Sequence, residues 1–144
     1  MILQYPEWAY YLDQDAMVAE IEDRPCRETG SGLLRVDDPI GANISKLIYD
    51  FPYILHEVWA MKHYPGGREV IMHEHNNWET AIYYPHAHES RLILEGSYYQ
   101  PSGDDLVILP ARTSHGVEAN TTDIARYSVV FTYASQHGAF QDAA

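Results

Sequence analysis

The chain has 144 residues, 46% of them apolar, which suits one domain with a real core and excludes a disordered chain. Nine Lys and Arg against 21 Asp and Glu give a net charge of −12, which argues against nucleic acid and anionic membranes as partners. A single cysteine, Cys26, permits no intrachain disulfide, and the opening MILQYPEWAYYLD carries neither a basic leader nor a long apolar run, so a cytoplasmic protein is expected.

The first third reads as helical and irregular. Asp15 is a candidate N-cap for a short helix through Asp23, with Met17, Val18 and Ile21 on one face and Pro25 as its stop. RETGSG reads as a loop. A second helix is expected with Asn43 as its N-cap, Ile44, Leu47, Ile48 and Phe51 at helical spacing, and its end near Pro52. Both helices should pack on the outside of a sheet. From residue 57 onward come short β-rich runs: HEVWAMKHY, REVIMHEH, WETAIYY, RLILEGSYY, DLVILP and ARYSVVFTYAS. Turn signals in PGG, PHAHES, PSGDD and EANTTD separate them. Twelve tyrosines and three tryptophans suit strands and aromatic-lined pockets. The expected fold class is mainly β, a sandwich or barrel. Its organisation is a helical support over residues 1–56, a core over 57–135 and a frayed tail over 136–144.

The chemistry-bearing residues cluster in two places. His73, His75 and Glu79 are all odd-numbered, so a single extended strand would carry them on one face. His115 follows the turn-forming segment at Pro110 to Ser114 and is placed to reach the same site from another strand. Imidazole and carboxylate ligands suit first-row transition metals, and two histidines with one carboxylate favour Fe(II) and oxygen chemistry. A second His-x-His pair, His86 and His88, follows a proline in a loop and reads as solvent-exposed. Arg126, flanked by Ala125 and Tyr127 in an apolar run, reads as partly buried and therefore in need of an anionic partner.

The segment GDDLVILPARTSHGVEANTTDIARYSVVFTY resembles the C-terminal half of the iron(II)/2-oxoglutarate-dependent oxygenases, and VWAMKHYPGGREVIMHEHNNWETAIYY resembles their metal-binding stretch. Together these cover Val58 to Tyr133. The resemblance implies a double-stranded β-helix, or jelly roll. It implies His115 as the distal iron ligand, and Arg126 with Ser128 as the pair that holds the far carboxylate of 2-oxoglutarate. It also implies Fe(II) as cofactor, 2-oxoglutarate as co-substrate converted to succinate, and hydroxylation of a small-molecule substrate. Tyr83, on the odd-numbered face with the ligands, is a candidate hydrogen-bond partner of the co-substrate. The family's usual proximal carboxylate is replaced by His75, so either His75 or Glu79 completes the triad.

The same residues also resemble the cupins, whose first motif is satisfied by Gly67, His73, His75 and Glu79. In their second motif Pro110 and His115 fit, and Arg112 stands where a glycine is expected. That resemblance implies a metal bound by His73, His75, Glu79 and His115, no 2-oxoglutarate, and a dioxygenase or isomerase. A jelly roll that binds a metabolite without catalysis is the alternative from a different class. Pairing into a homodimer through exposed strands is compatible with either fold.

Overall fold

Short β-branched and aromatic runs, each cut by a turn, pair into two antiparallel sheets. The computed structural model describes residues 2–4, 12–29, 33–49, 51, 53–75 and 77–134. In chain order the elements are β1 (Ile2–Gln4), α1 (Gln14–Glu22), β2 (Arg27–Glu28), β3 (Leu34–Val36), α2 (Ala42–Tyr49), β4 (Leu55–His63) and β5 (Val70–His73). Then come β6 (Glu79–Tyr84), β7 (Leu92–Leu94), β8 (Ser97–Tyr99), β9 (Asp105–Leu109), β10 (His115–Val117) and β11 (Arg126–Tyr133). The larger sheet runs β1-β9-β6-β11-β4-β3-β2, and the smaller runs β5-β10-β7-β8.

The long strands are buried on both faces, so alternation splits their apolar side chains between two cores. Ala60, Ala81, Tyr83, Val129 and Phe131 face one side, where they meet Met17 and Ile21 of α1 and Ile44 and Leu47 of α2. Trp59, Met61, Ile82, Tyr84 and Val130 face the other, where they meet Val70, Leu92 and Val117 of the smaller sheet. The helices therefore lie outside the larger sheet, as the sequence predicts, and the second core lies between the sheets. The fold is mainly β, a double-stranded β-helix with two helices packed outside it.

Several local expectations need correction. The cap of α1 is Asp13, whose side chain accepts from the Ala16 N–H at 3.0 Å. Asp15 instead sits in the first turn, where a negative charge suits the helix dipole. Asn43 lies inside α2 and ties it to α1: its N–H donates to Glu20 Oε2 at 3.2 Å, and its side-chain oxygen accepts from the Asp13 N–H at 3.1 Å. Glu20 thus satisfies an early backbone donor that the helix itself leaves unpaired. The first third is more than helices, because β1 pairs with β9, and β3 pairs with β2 and β4. Arg27 and Glu28 of RETGSG form β2, while its residues 30–32 fall outside the described residues, as do Pro52 and the tail. RLILEGSYY folds as a hairpin, β7 and β8, because Gly96 adopts φ +77° in the turn between them.

Candidate metal centre and anion pocket

Three histidines converge on the inner face. His73 closes β5 and His115 opens β10, and the two are register partners across that antiparallel pair. Cross-strand partners hold their Cβ atoms roughly 5 Å apart, so the pairing itself brings these rings together. The strands approach closely because residue 116 is glycine: a Cβ there would lie 2.5 Å from the Val70 carbonyl oxygen. His75 follows from the bend after β5. Ring centroids are 4.4 Å apart for His73 and His115, and 5.2 Å for His75 with either. One ring nitrogen of each lies within 4.8 Å of the others.

The rings are prepared as ligands. Nδ1 of His73 lies 3.0 Å from the Ile71 carbonyl oxygen, and Nδ1 of His115 lies 2.9 Å from that of Thr113. A carbonyl only accepts, so Nδ1 carries the proton in both rings and Nε2 keeps its lone pair for a metal. Burial pushes His115 down to about 4, with His73 and His75 adding to the effect. Burial also lowers His75, reinforced by His73 and the Arg35 charge. Two of the three are therefore neutral imidazoles at neutral pH, the form that binds metal. Three imidazole nitrogens this close suit a first-row transition ion such as iron or nickel.

Glu79 does not join them. The strand ends at His73, the chain bends, and β6 starts afresh at Glu79. The odd-number rule thus fails across the bend, because residues 73 and 79 belong to different strands. Glu79 shares the outer face of β6 with Ala81 and Tyr83 and hydrogen-bonds the Tyr133 hydroxyl. Tyr83 is displaced for the same reason. Its hydroxyl donates to Asp104 in the helix-side core, away from the histidines.

Arg126 and Ser128 do face the inner cavity. Both line a space of about 250 Å³ together with His73, His75 and His115. Trp59, Met61, Ile82 and Val130 supply apolar walls, and Arg35 lies over the Trp59 ring at 4.3 Å. Arg126 is only 3% exposed, yet among the described residues no carboxylate pairs with it. Its Nη2 donates to the Tyr84 hydroxyl at 3.2 Å, and its Nε meets no partner. A buried guanidinium left in this state is costly unless an anion completes it.

Tyr84 is the site residue that sequence reading misses. It neighbours Tyr83, and β6 is buried on both faces, so no alternation of polar and apolar residues marks which tyrosine points inward. Of the second His-x-His pair, His86 is exposed and lies 3.0 Å from Asp15. His88, expected in solvent, is buried: its ring accepts from the Ser90 N–H at 2.9 Å and donates to the Ile124 carbonyl at 2.8 Å. Neither joins the three-histidine group. Arg112, in the glycine position of the cupin pattern, takes φ +63°, the left-handed region that glycine favours.

The chain matches no protein-family model and no curated sequence. Among solved structures it is similar to HygX from Streptomyces hygroscopicus with nickel and 2-oxoglutarate bound, at 12% identity and a TM-score of 0.71, over 86% of this chain and 78% of that one. It is also similar to a predicted oxalate decarboxylase from Thermotoga maritima, at 13% identity and a TM-score of 0.58, over 80% of this chain and 96% of the other. A third likeness is an RmlC-like cupin from Shewanella frigidimarina, at 16% identity and a TM-score of 0.54, over 81% and 88%. The fold is that of the cupins. Among the described residues no helix is long and apolar enough to cross a membrane.

Proposed function

We propose that the chain is a non-haem Fe(II)- and 2-oxoglutarate-dependent oxygenase acting on a small substrate. Arg126 carries this reading. It is a buried guanidinium that has no carboxylate partner among the described residues, in the cavity that also holds His73, His75 and His115. A carboxylate from outside would satisfy it, and 2-oxoglutarate offers one carboxylate for the arginine and a keto-acid end for the metal. Ser128 and Tyr84 add hydroxyls at the same place; the Tyr84 oxygen accepts from Arg126, which leaves its own proton free to donate to the anion. His73, His75 and His115 would hold the iron, which when bound supplies the oxygen chemistry that yields succinate and hydroxylates a C–H bond. The apolar walls exclude water and so strengthen the arginine's hold on its anion. The likeness to HygX, which binds nickel and 2-oxoglutarate, supports this reading. A cavity of about 250 Å³ lies below the size of pockets that enclose drug-sized ligands, which favours a small substrate.

A second reading rests on Glu79. With that carboxylate turned toward Tyr133, the candidate ligand set is three imidazoles. These are three of the four ligands that the cupin resemblance implies, and in a cupin-type dioxygenase or isomerase the carboxylate held by Arg126 would belong to the substrate itself. The two readings separate on 2-oxoglutarate. The oxygenase, loaded with Fe(II) in the presence of ascorbate, binds 2-oxoglutarate and slowly releases succinate even without its prime substrate. If 2-oxoglutarate neither binds nor is consumed, and Arg126→Met changes nothing, the oxygenase reading fails.

A further inference from the structure

His75 differs from the other two histidines in how it is held. His73 and His115 lie on strands, and backbone carbonyls fix their Nδ1 protons. His75 lies past the end of β5, and among the described residues neither of its ring nitrogens has a hydrogen-bond partner. Its ring lies among other rings, with Trp59 at 5.7 Å and His73 and His115 at 5.2 Å. Something else must hold its backbone in place.

Two contacts do so. The Trp78 N–H donates to the His75 carbonyl at 3.3 Å, and the Trp78 ring stacks on His56 at 3.9 Å with only 9° between the planes. His56 is itself oriented by its Nδ1 contact with the Thr132 hydroxyl at 3.1 Å, so the stack is anchored to paired strands β4 and β11. The second contact joins the neighbouring residue to the other ligand segment. Arg112 Nη2 donates to Asn77 Oδ1 at 3.1 Å. Arg112 lies in the turn closed by the Thr113 N–H and the Pro110 carbonyl, and the Thr113 carbonyl is the acceptor that orients His115. Arginine keeps a left-handed φ of +63° there, an unfavourable conformation for a residue with a Cβ, which points to a use for its side chain.

We infer that Trp78 and Arg112 are positioning residues for the metal centre: the Trp78–His56 stack and the Arg112–Asn77 hydrogen bond place His75 against His73 and His115. The inference rests on reading the three histidines as a metal site. Neither residue touches the metal, and each acts through the backbone that carries His75. Losing the stack leaves two well-held ligands and one loose one, so affinity and ligand field change while the folded core does not.

Co(II) is the probe. Calorimetric titration and visible absorption are read on the full chain, alongside thermal unfolding of the metal-free protein. Supporting contacts around metal ligands are typically worth roughly 10–100-fold in affinity, so Trp78→Leu should weaken Co(II) binding by about that factor and shift the absorption toward that of His75→Ala. Trp78→Phe, which keeps a ring for His56 to stack on, should restore most of the affinity. Arg112→Gly suits the left-handed backbone and removes only the side chain, so it should weaken Co(II) binding about tenfold without lowering the unfolding temperature. In a His75→Ala background Trp78→Leu should cost nothing further, a result that a general structural role would not produce. Wild-type affinity and spectrum in both Trp78→Leu and Arg112→Gly overturn the inference and leave the metal reading standing. So does an undiminished effect of Trp78→Leu without His75. A wild-type protein that binds no Co(II) overturns both.

Discussion

The two faces of the larger sheet are made from the same strands and differ in what they bury. The helix-side face is apolar and sealed by α1 and α2, and its polar groups are paired, as Tyr83 is with Asp104. The inner face holds three histidines, an arginine with no carboxylate partner among the described residues, and a cavity. The adjacent residues Tyr83 and Tyr84 end up in these two environments: one closes the helix-side core, the other meets Arg126 on the inner face. The contrast teaches that neighbouring residues on a doubly buried strand can have nothing functional in common.

Phe131→Ala tests the helix-side face. It should cost about 3–5 kcal/mol of stability in urea denaturation, by lost burial and a residual cavity, while the folded fraction still binds metal. A large loss of metal affinity in that folded fraction would break the separation of the faces. On the inner face, Arg126→Met should show the opposite pattern. Replacing a buried unpaired charge with an apolar side chain leaves the unfolding temperature unchanged or raised, whereas removing one partner of a buried charge pair costs about 2–5 kcal/mol of binding. Calorimetry with 2-oxoglutarate on the Ni(II)-loaded protein should accordingly show at least about a thirtyfold loss of affinity.

The pH dependence sharpens the contrast further, because His115 is a buried base on the inner face. Its folded value, about 4, lies below the ordinary 6.5, so the unfolded chain binds more protons between these values. Stability of the metal-free protein is therefore full above pH 6.5 and falls on the way to pH 4, by on the order of 3 kcal/mol from this group. His115→Gln should flatten that part of the unfolding-temperature profile; an unchanged slope would show that the histidine is not buried neutral.

The tyrosine pair should split cleanly. Tyr83→Phe removes a core hydrogen bond and costs stability of about 1 kcal/mol with ligand affinity unchanged. Tyr84→Phe should weaken carboxylate binding about fivefold with little change in unfolding temperature. The smallest effect belongs to Glu79→Gln, which should leave Co(II) affinity within about twofold of wild type, since the carboxylate faces Tyr133. A tenfold loss would put Glu79 back on the metal and restore the cupin ligand set.

Much of this architecture is legible in the chain. Short β-branched and aromatic runs between turn signals mark most of the strands, because a strand that packs on both faces must be apolar nearly throughout. The helices are marked by apolar residues at 3.6 spacing, although their caps are misread by two residues in one case and by a helix–helix tie in the other. His73, His75 and His115 are recognisable from residue type and spacing, Arg126 and Ser128 from the resemblance to the oxygenases, and all five reach one cavity. Glu79, Tyr83 and Tyr84 are not assignable in this way. The turn from His75 to Trp78 resets the alternation, and a one-residue change of phase moves every following side chain to the other face.

The amino-acid sequence by itself determined the strand content and the outer helices, since these depend on local composition and periodicity, and it offered the histidines as candidate metal ligands by residue type and spacing. Only the tertiary structure decided that three histidines converge without Glu79, that Tyr84 and not Tyr83 stands beside Arg126, and that the Trp78 ring behind the turn after His75 stacks on His56. Those outcomes depend on register and on a single bend, which are settled by cross-strand pairing between residues far apart in the chain.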